Sequence, residues 1–206
     1  MSNKSSNNQY NECQSPHIVW YAIIHQMTNI KEQLLILLAY VDNIHNFSNN
    51  TVLLSFWNTT ISSVLETVIM AYARLFDNSS TFDKENCSIA QLNNLIKNDK
   101  TLSDEKRILL QEKFSIFENT NANIKKIIHD YRCKRFAHND LEITFYQCGD
   151  DLPLDALCDL YSSIMDLMRF CGQHLIGATG KITDIYNERT KYSIVFETML
   201  KPYTEE

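Results

Sequence analysis

A short basic segment ending in a histidine is where this sequence could do chemistry. From Lys125 to His138 it carries Lys125, Lys126, Arg132, Lys134 and Arg135 against Asp130 alone. From Asn139 to Met168 the balance inverts: Asp140, Glu142, Asp150, Asp151, Asp155, Asp159 and Asp166 occur with no Lys or Arg. Two or three cationic side chains are what a phosphodiester needs, because its oxygens accept charge-assisted hydrogen bonds. Solvated helix faces, or a basic run suited to a helix C-terminus, account for the same charges. The order of the residues separates these readings, and the elements that carry them come first.

The framework is helical by elimination. The chain of 206 residues holds 4 Gly and 3 Pro, about 3%, against roughly 12% in ordinary proteins. Between Pro16 and Gly149 run 132 residues with neither. Sheets spend Gly and Pro at their turns, so such a stretch implies long helices joined by Asn, Ser and Asp. Gly-rich phosphate loops, dinucleotide-binding fingerprints and nucleophile elbows cannot be built from it. Net charge is −6, so bulk electrostatics disfavour nucleic acid and only the local basic segment argues for it. Six cysteines stand at wide, irregular gaps without metal-ligand spacing. They read as reduced thiols of a cytoplasmic protein, with no metal and no cofactor expected.

Apolar residues at three- and four-residue steps outline the elements. A first helix runs from about His17 to Phe47, with Trp20, Ile23, Met27, Ile30, Leu34, Leu37, Leu38, Val41 and Ile44 on one face. A second carries Leu54 to Phe76 and stops at the turn cluster Asp77–Ser80. Ser88, with Gln91 three residues on, opens a short helix. Ser103 caps a third long helix with Leu110, Phe114, Phe117, Ile124, Ile127, Ile128 and Tyr131 in its stripe. Pro153 opens a fourth, from Leu154 to Leu175, that Gly177 and Gly180 end. The expected fold is an all-α antiparallel bundle of four long helices plus a short one over residues 17–180. Residues 1–16 read as a disordered tail without a signal-peptide core. Residues 181–206 read as an appendage whose Tyr192–Leu200 stretch fits a short helix or a strand. The longest apolar run, Leu34–Val41, is too short to span a bilayer, so no membrane association is expected.

Within this framework the segment Tyr131–Asp140 resembles the Arg-x(4–6)-His signature of the HEPN superfamily, as Arg132-x5-His138. The likeness extends to its abortive-infection U-type (AbiU-like) branch. Ser55-Phe56-Trp57-Asn58 and Ala73-Arg74-Leu75-Phe76-Asp77 match that branch's upstream helix. Arg132, Lys134, Ala137, His138 and Asp140 match its later pattern, and the likeness covers about residues 17–175. One residue departs: the position after the motif arginine, commonly Asn, Asp or His in HEPN nucleases, is Cys133.

The resemblance implies a metal-independent ribonuclease of a phage-defence or toxin–antitoxin system, formed as a homodimer, with RNA as substrate. His138 would then transfer protons and Arg132 would stabilise the phosphorane. Lys134 and Arg135 would guide RNA, and Asp140, Arg74 and Asp77 would support the site. In a continuous helix Arg132 and His138 are separated by roughly 9 Å of rise and 240° of rotation. They would converge where the helix ends near Phe136, or where two subunits each contribute one. Three bland alternatives remain open here: an Arg132 ion pair with Asp130 or another acid, an Arg74–Asp77 pair closing the second helix, and a turn cap by Asp140. The other histidines, His129 among them, show no partner spacing above chance. A non-catalytic HEPN module that binds nucleotide, RNA or a cognate protein is the alternative function. An antitoxin or nucleotidyltransferase partner belongs to either reading.

Overall fold

A computed structural model describes residues 15–47, 51–81, 84–133, 152–178 and 185–200. Helix α1 spans Pro16–Asn43 and continues as a 3-10 turn over Ile44–Phe47. Next come α2 (Thr51–Leu75), α3 (Ile89–Asn98), α4 (Asp104–Arg132), α5 (Leu154–Ile176) and α6 (Ile185–Leu200). The fold is all-α apart from a small antiparallel ladder after α2, in which Ser80 pairs with Glu85 and Thr81 with Lys84.

The helix boundaries follow local chemistry. Ser88 Oγ accepts from the Gln91 amide at 3.1 Å and Ser103 Oγ from the Lys106 amide at 3.4 Å, each satisfying an orphan donor of the first turn. Gly177 closes α5 at φ 66°, a left-handed conformation in which a side chain would be strained.

Helix α1 is the hub, packing against α2, α3, α5 and α6. Its Ile23, Met27, Ile30, Leu34, Leu35 and Leu38 are fully buried. Helix α5 runs antiparallel to it: His17 Nε2 lies 3.2 Å from the Leu175 carbonyl, and Trp20 Nε1 donates to the Met168 carbonyl at 2.7 Å. It is antiparallel to α4 as well, where Asn121 Nδ2 donates to Ser163 Oγ and Lys113 stands over the Phe170 ring. Tyr72 ties α2 to α5 through its hydroxyl, which donates to the Leu157 carbonyl at 2.8 Å.

Two expectations change. Val41 and Ile44 continue the α1 stripe in sequence but are exposed. At that end the covered face moves to Ala39 and Tyr40, beneath Leu53, Leu54 and Trp57 of α2 and Tyr192 of α6. The ambiguous Tyr192–Leu200 stretch is helical. Helix α6 is tied to α1 by Lys31–Glu188 at 3.1 Å, by a two-pronged Arg189–Asp42 pair, and by Asn43 donating to Ser193. Ile185, its first residue, is fully buried.

Helix α2 is unevenly covered. Val68, Ile69, Tyr72 and Leu75 reach the core, whereas Val52 is 79% and Phe56 61% exposed near its start. Among the described residues it is the one helix that, by length and composition, could cross a membrane, and only 11% of its most apolar window is buried.

The contact between α1 and α5 yields a test. A Cβ added at Gly172 would stand 2.7 Å from Trp20 Cζ2, and the indole cannot retreat without losing its bond to Met168. Gly→Ala in a helix interior gains about 1 kcal/mol, while overpacking costs about 1–3 kcal/mol. Gly172→Ala should therefore destabilise the protein by about 1 kcal/mol on balance, lowering Tm by about 2–4 °C in a thermal melt. An unchanged or raised Tm would show that the indole yields freely.

Candidate functional site

Arg132 lies in the final turn of α4, and Cys133 after it keeps helical dihedrals. The turn carries His129 and Arg132, cations suited to the partial negative charge at a helix C-terminus. Opposite them, α2 ends as Phe76 and Asp77 turn back, the Asp77 amide donating to the Arg74 carbonyl at 3.2 Å. Arg132 Nη1 donates to Asp77 Oδ1 at 2.5 Å, joining the ends of two helices across 55 residues of sequence. The two side chains are 39% and 31% exposed, so the pair is wet.

A cleft of about 240 Å³ opens between these helix ends, lined by Phe76, Asp77, Lys125, Lys126, His129 and Arg132 among others. On α4, Lys125, His129 and Arg132 fall at i, i+4 and i+7, which puts them on one helical face. Lys125 stands 5.1 Å over the Phe76 ring and is ion-paired to Glu118. Lys126 and His129 are exposed. His129 Nε2 lies 3.5 Å from Cys133 Sγ, one turn on.

Arg132 uses one N–H on Asp77. A guanidinium has five N–H donors in a planar fork, and the others have no partner among the described residues. The arrangement is an arginine oriented by a carboxylate, with donors left over, in a cleft of positive charge. It can hold a phosphate oxygen while Asp77 keeps the guanidinium plane in place. Among the described residues no group of three or more His, Cys, Asp or Glu is placed to hold a metal ion.

The sequence-derived candidates divide into three sets. Arg132 and Asp77 are brought together, so Arg132 pairs with an acid just past the end of α2 and not with Asp130. Arg74 is exposed and makes no ion pair among the described residues, so α2 is not closed by Arg74–Asp77. Lys134, Arg135, His138 and Asp140 lie outside the described residues. The Ser55–Asn58 stretch sits near the far end of α2, roughly 30 Å of helix from Asp77. There Asn58 accepts from the Tyr40 hydroxyl at 2.5 Å. His129 is the residue that sequence reasoning passed over. Its spacing of three from Arg132 and four from Lys125 was the available signal.

Residues 23–196 match the family model HEPN_AbiU2, described as AbiU2. The chain belongs to this family, an abortive-infection-related group of HEPN proteins. No curated protein and no solved structure matches it.

Two tests follow from the site. Because the Arg132–Asp77 pair is solvated, Asp77→Asn should cost no more than about 1 kcal/mol in urea unfolding. A loss above about 3 kcal/mol would mark it as a buried pair. The thiols should differ sharply. Burial pushes Cys158 and Cys171 up to about 12, so each is a thiolate about once in ten thousand at pH 8. Cys87 is exposed and Cys133 half-buried. Iodoacetamide at pH 8, read by peptide mass spectrometry, should modify Cys87 and Cys133 in the native protein. Cys158 and Cys171 should react only after unfolding.

Proposed function

We propose that this AbiU2-family HEPN protein is a metal-independent endoribonuclease that acts as a phage-defence or toxin effector in the cytoplasm. The observation that carries the reading is the Arg132–Asp77 pair at the rim of a basic cleft, six residues before His138. Cleavage by transesterification requires three things. The 2′-hydroxyl must lose a proton, the leaving 5′-oxygen must gain one, and charge on the phosphorane must be balanced. Arg132, held by Asp77, offers its remaining donors to the phosphorane oxygens. His138 transfers protons, and Lys134 and Arg135 with the α4 lysines steer RNA into the cleft. Asp140 supports His138. A spacing of six would put Arg132 and His138 on different faces of a continuous helix, which favours a homodimer whose two subunits complete each site.

A second reading rests on a different observation. The exposed start of α2, with Val52 and Phe56 at its surface, suits a non-catalytic module that docks a cognate antitoxin or nucleotidyltransferase partner.

The readings part on one experiment. Purified protein should cleave RNA in EDTA, and Arg132→Ala and His138→Ala should each lower the rate at least about 100-fold. Cleavage that survives both substitutions would sink the assignment. Toxicity in cells that is unaltered by His138→Ala would favour the docking module.

A further inference from the structure

Arg132 accounts for a phosphate but not for the rest of the cleft. Beneath the cations the lining is apolar: Ala73 and Ile128 are buried, and the half-buried Phe76 flanks them. A phosphate, charged on every side, gains nothing from such a lining. A nucleobase suits it, with two apolar faces and a polar edge. The volume of about 240 Å³ is below the roughly 300–1,000 Å³ of pockets for drug-sized ligands, which restricts the cleft to a single ring system. We propose that the cleft seats the nucleobase beside the scissile phosphate and that Asp77 selects it, an inference that rests on the ribonuclease reading above.

Asp77 has the atom for this. Its Oδ1 accepts from Arg132 at 2.5 Å, whereas Oδ2 has no partner among the described residues. A carboxylate oxygen accepts and does not donate. It therefore favours a base edge that presents an amino group: N4 of cytosine, N6 of adenine or N2 of guanine. The edge N–H of uracil lies between two carbonyl oxygens, which a carboxylate repels. Because Asp77 and Arg132 are hydrogen-bonded, a base on Oδ2 and a phosphate on the free donors of Arg132 belong to the same or adjoining nucleotides.

His129, exposed at the mouth of the cleft, offers its imidazole as a surface on which the base stacks. A base held in this way has left its neighbours in the strand, so the substrate is single-stranded RNA.

The test maps cleavage sites of the full-length protein in a random-sequence single-stranded RNA pool by end sequencing. At one of the two positions flanking the cut, wild type should favour amino-bearing bases over uracil by at least about tenfold. Asp77→Asn, whose amide both accepts and donates, should cleave more slowly and bring that ratio to within about threefold. A second arm needs no variant. Wild type should cleave an oligonucleotide at least about tenfold more slowly when the selected base is replaced by its analogue without the amino group, such as inosine for guanosine. This arm decides alone where Asp77→Asn is too slow to map. Uracil cut as well as the other bases, or an analogue cut within about threefold of its parent, overturns the inference and leaves the ribonuclease reading standing. An Asp77→Asn variant that slows while keeping the wild-type preference gives Asp77 only the orientation of Arg132 and overturns it too. A wild type inert on RNA overturns both.

Discussion

The architecture depends on how much of α1 must be hidden from water. Leu34, Leu35, Leu37 and Leu38 are all buried within little more than one turn, so apolar surface runs around most of the helix. One neighbour cannot cover such a helix. Each fully buried Leu or Ile gains about 1.5–3 kcal/mol over an exposed one. The driving force is met by packing α2, α3, α5 and α6 around α1. Helix α6 packs against α1, and the Lys31–Glu188 and Asp42–Arg189 pairs tie it to the middle and the end of that helix.

Helix α4 lies outside that arrangement. It docks on α2, α3 and α5, and its sequence is the most polar of the long helices. Its buried Leu110, Phe114, Phe117 and Ile128 hold it by one face, leaving the remainder for charge. The cationic side chains of the candidate site sit on this helix for a physical reason. A helix that gives only one stripe to the core can carry lysines, a histidine and an arginine without burying them. Where it meets the end of α2, the Arg132–Asp77 pair adds little energy in a wet setting. What it adds is direction, since a carboxylate on one edge of a guanidinium fixes the plane of the other donors.

Helix α2 serves two places at once. Its last turns carry Tyr72 and Leu75 into the core and end at the cleft, while its first turns expose Val52 and Phe56. Both family-like stretches lie on this helix, at opposite ends. One borders the site, and the other sits with Tyr40, Asn58 and Tyr192 where α1, α2 and α6 converge.

What the sequence determined by itself was local. Gly/Pro scarcity made the chain helical, three- and four-residue spacing marked the buried faces, and Ser88, Ser103 and Gly177 ended helices where cap chemistry requires. These properties depend on neighbours within a turn or two, so one dimension carries them. The Arg132–His138 spacing and the basic segment were legible in the same way. The tertiary structure alone decided which carboxylate Arg132 meets, because Asp130 and the other acids of the chain were equivalent candidates until the end of α2 docked on α4. It alone placed His129 in the cleft, left Val41 and Val52 outside the core, and turned the ambiguous last stretch into a helix against α1. Each of these outcomes depends on the crossing of helices far apart in the chain, and periodicity records which face is apolar but not what comes to cover it.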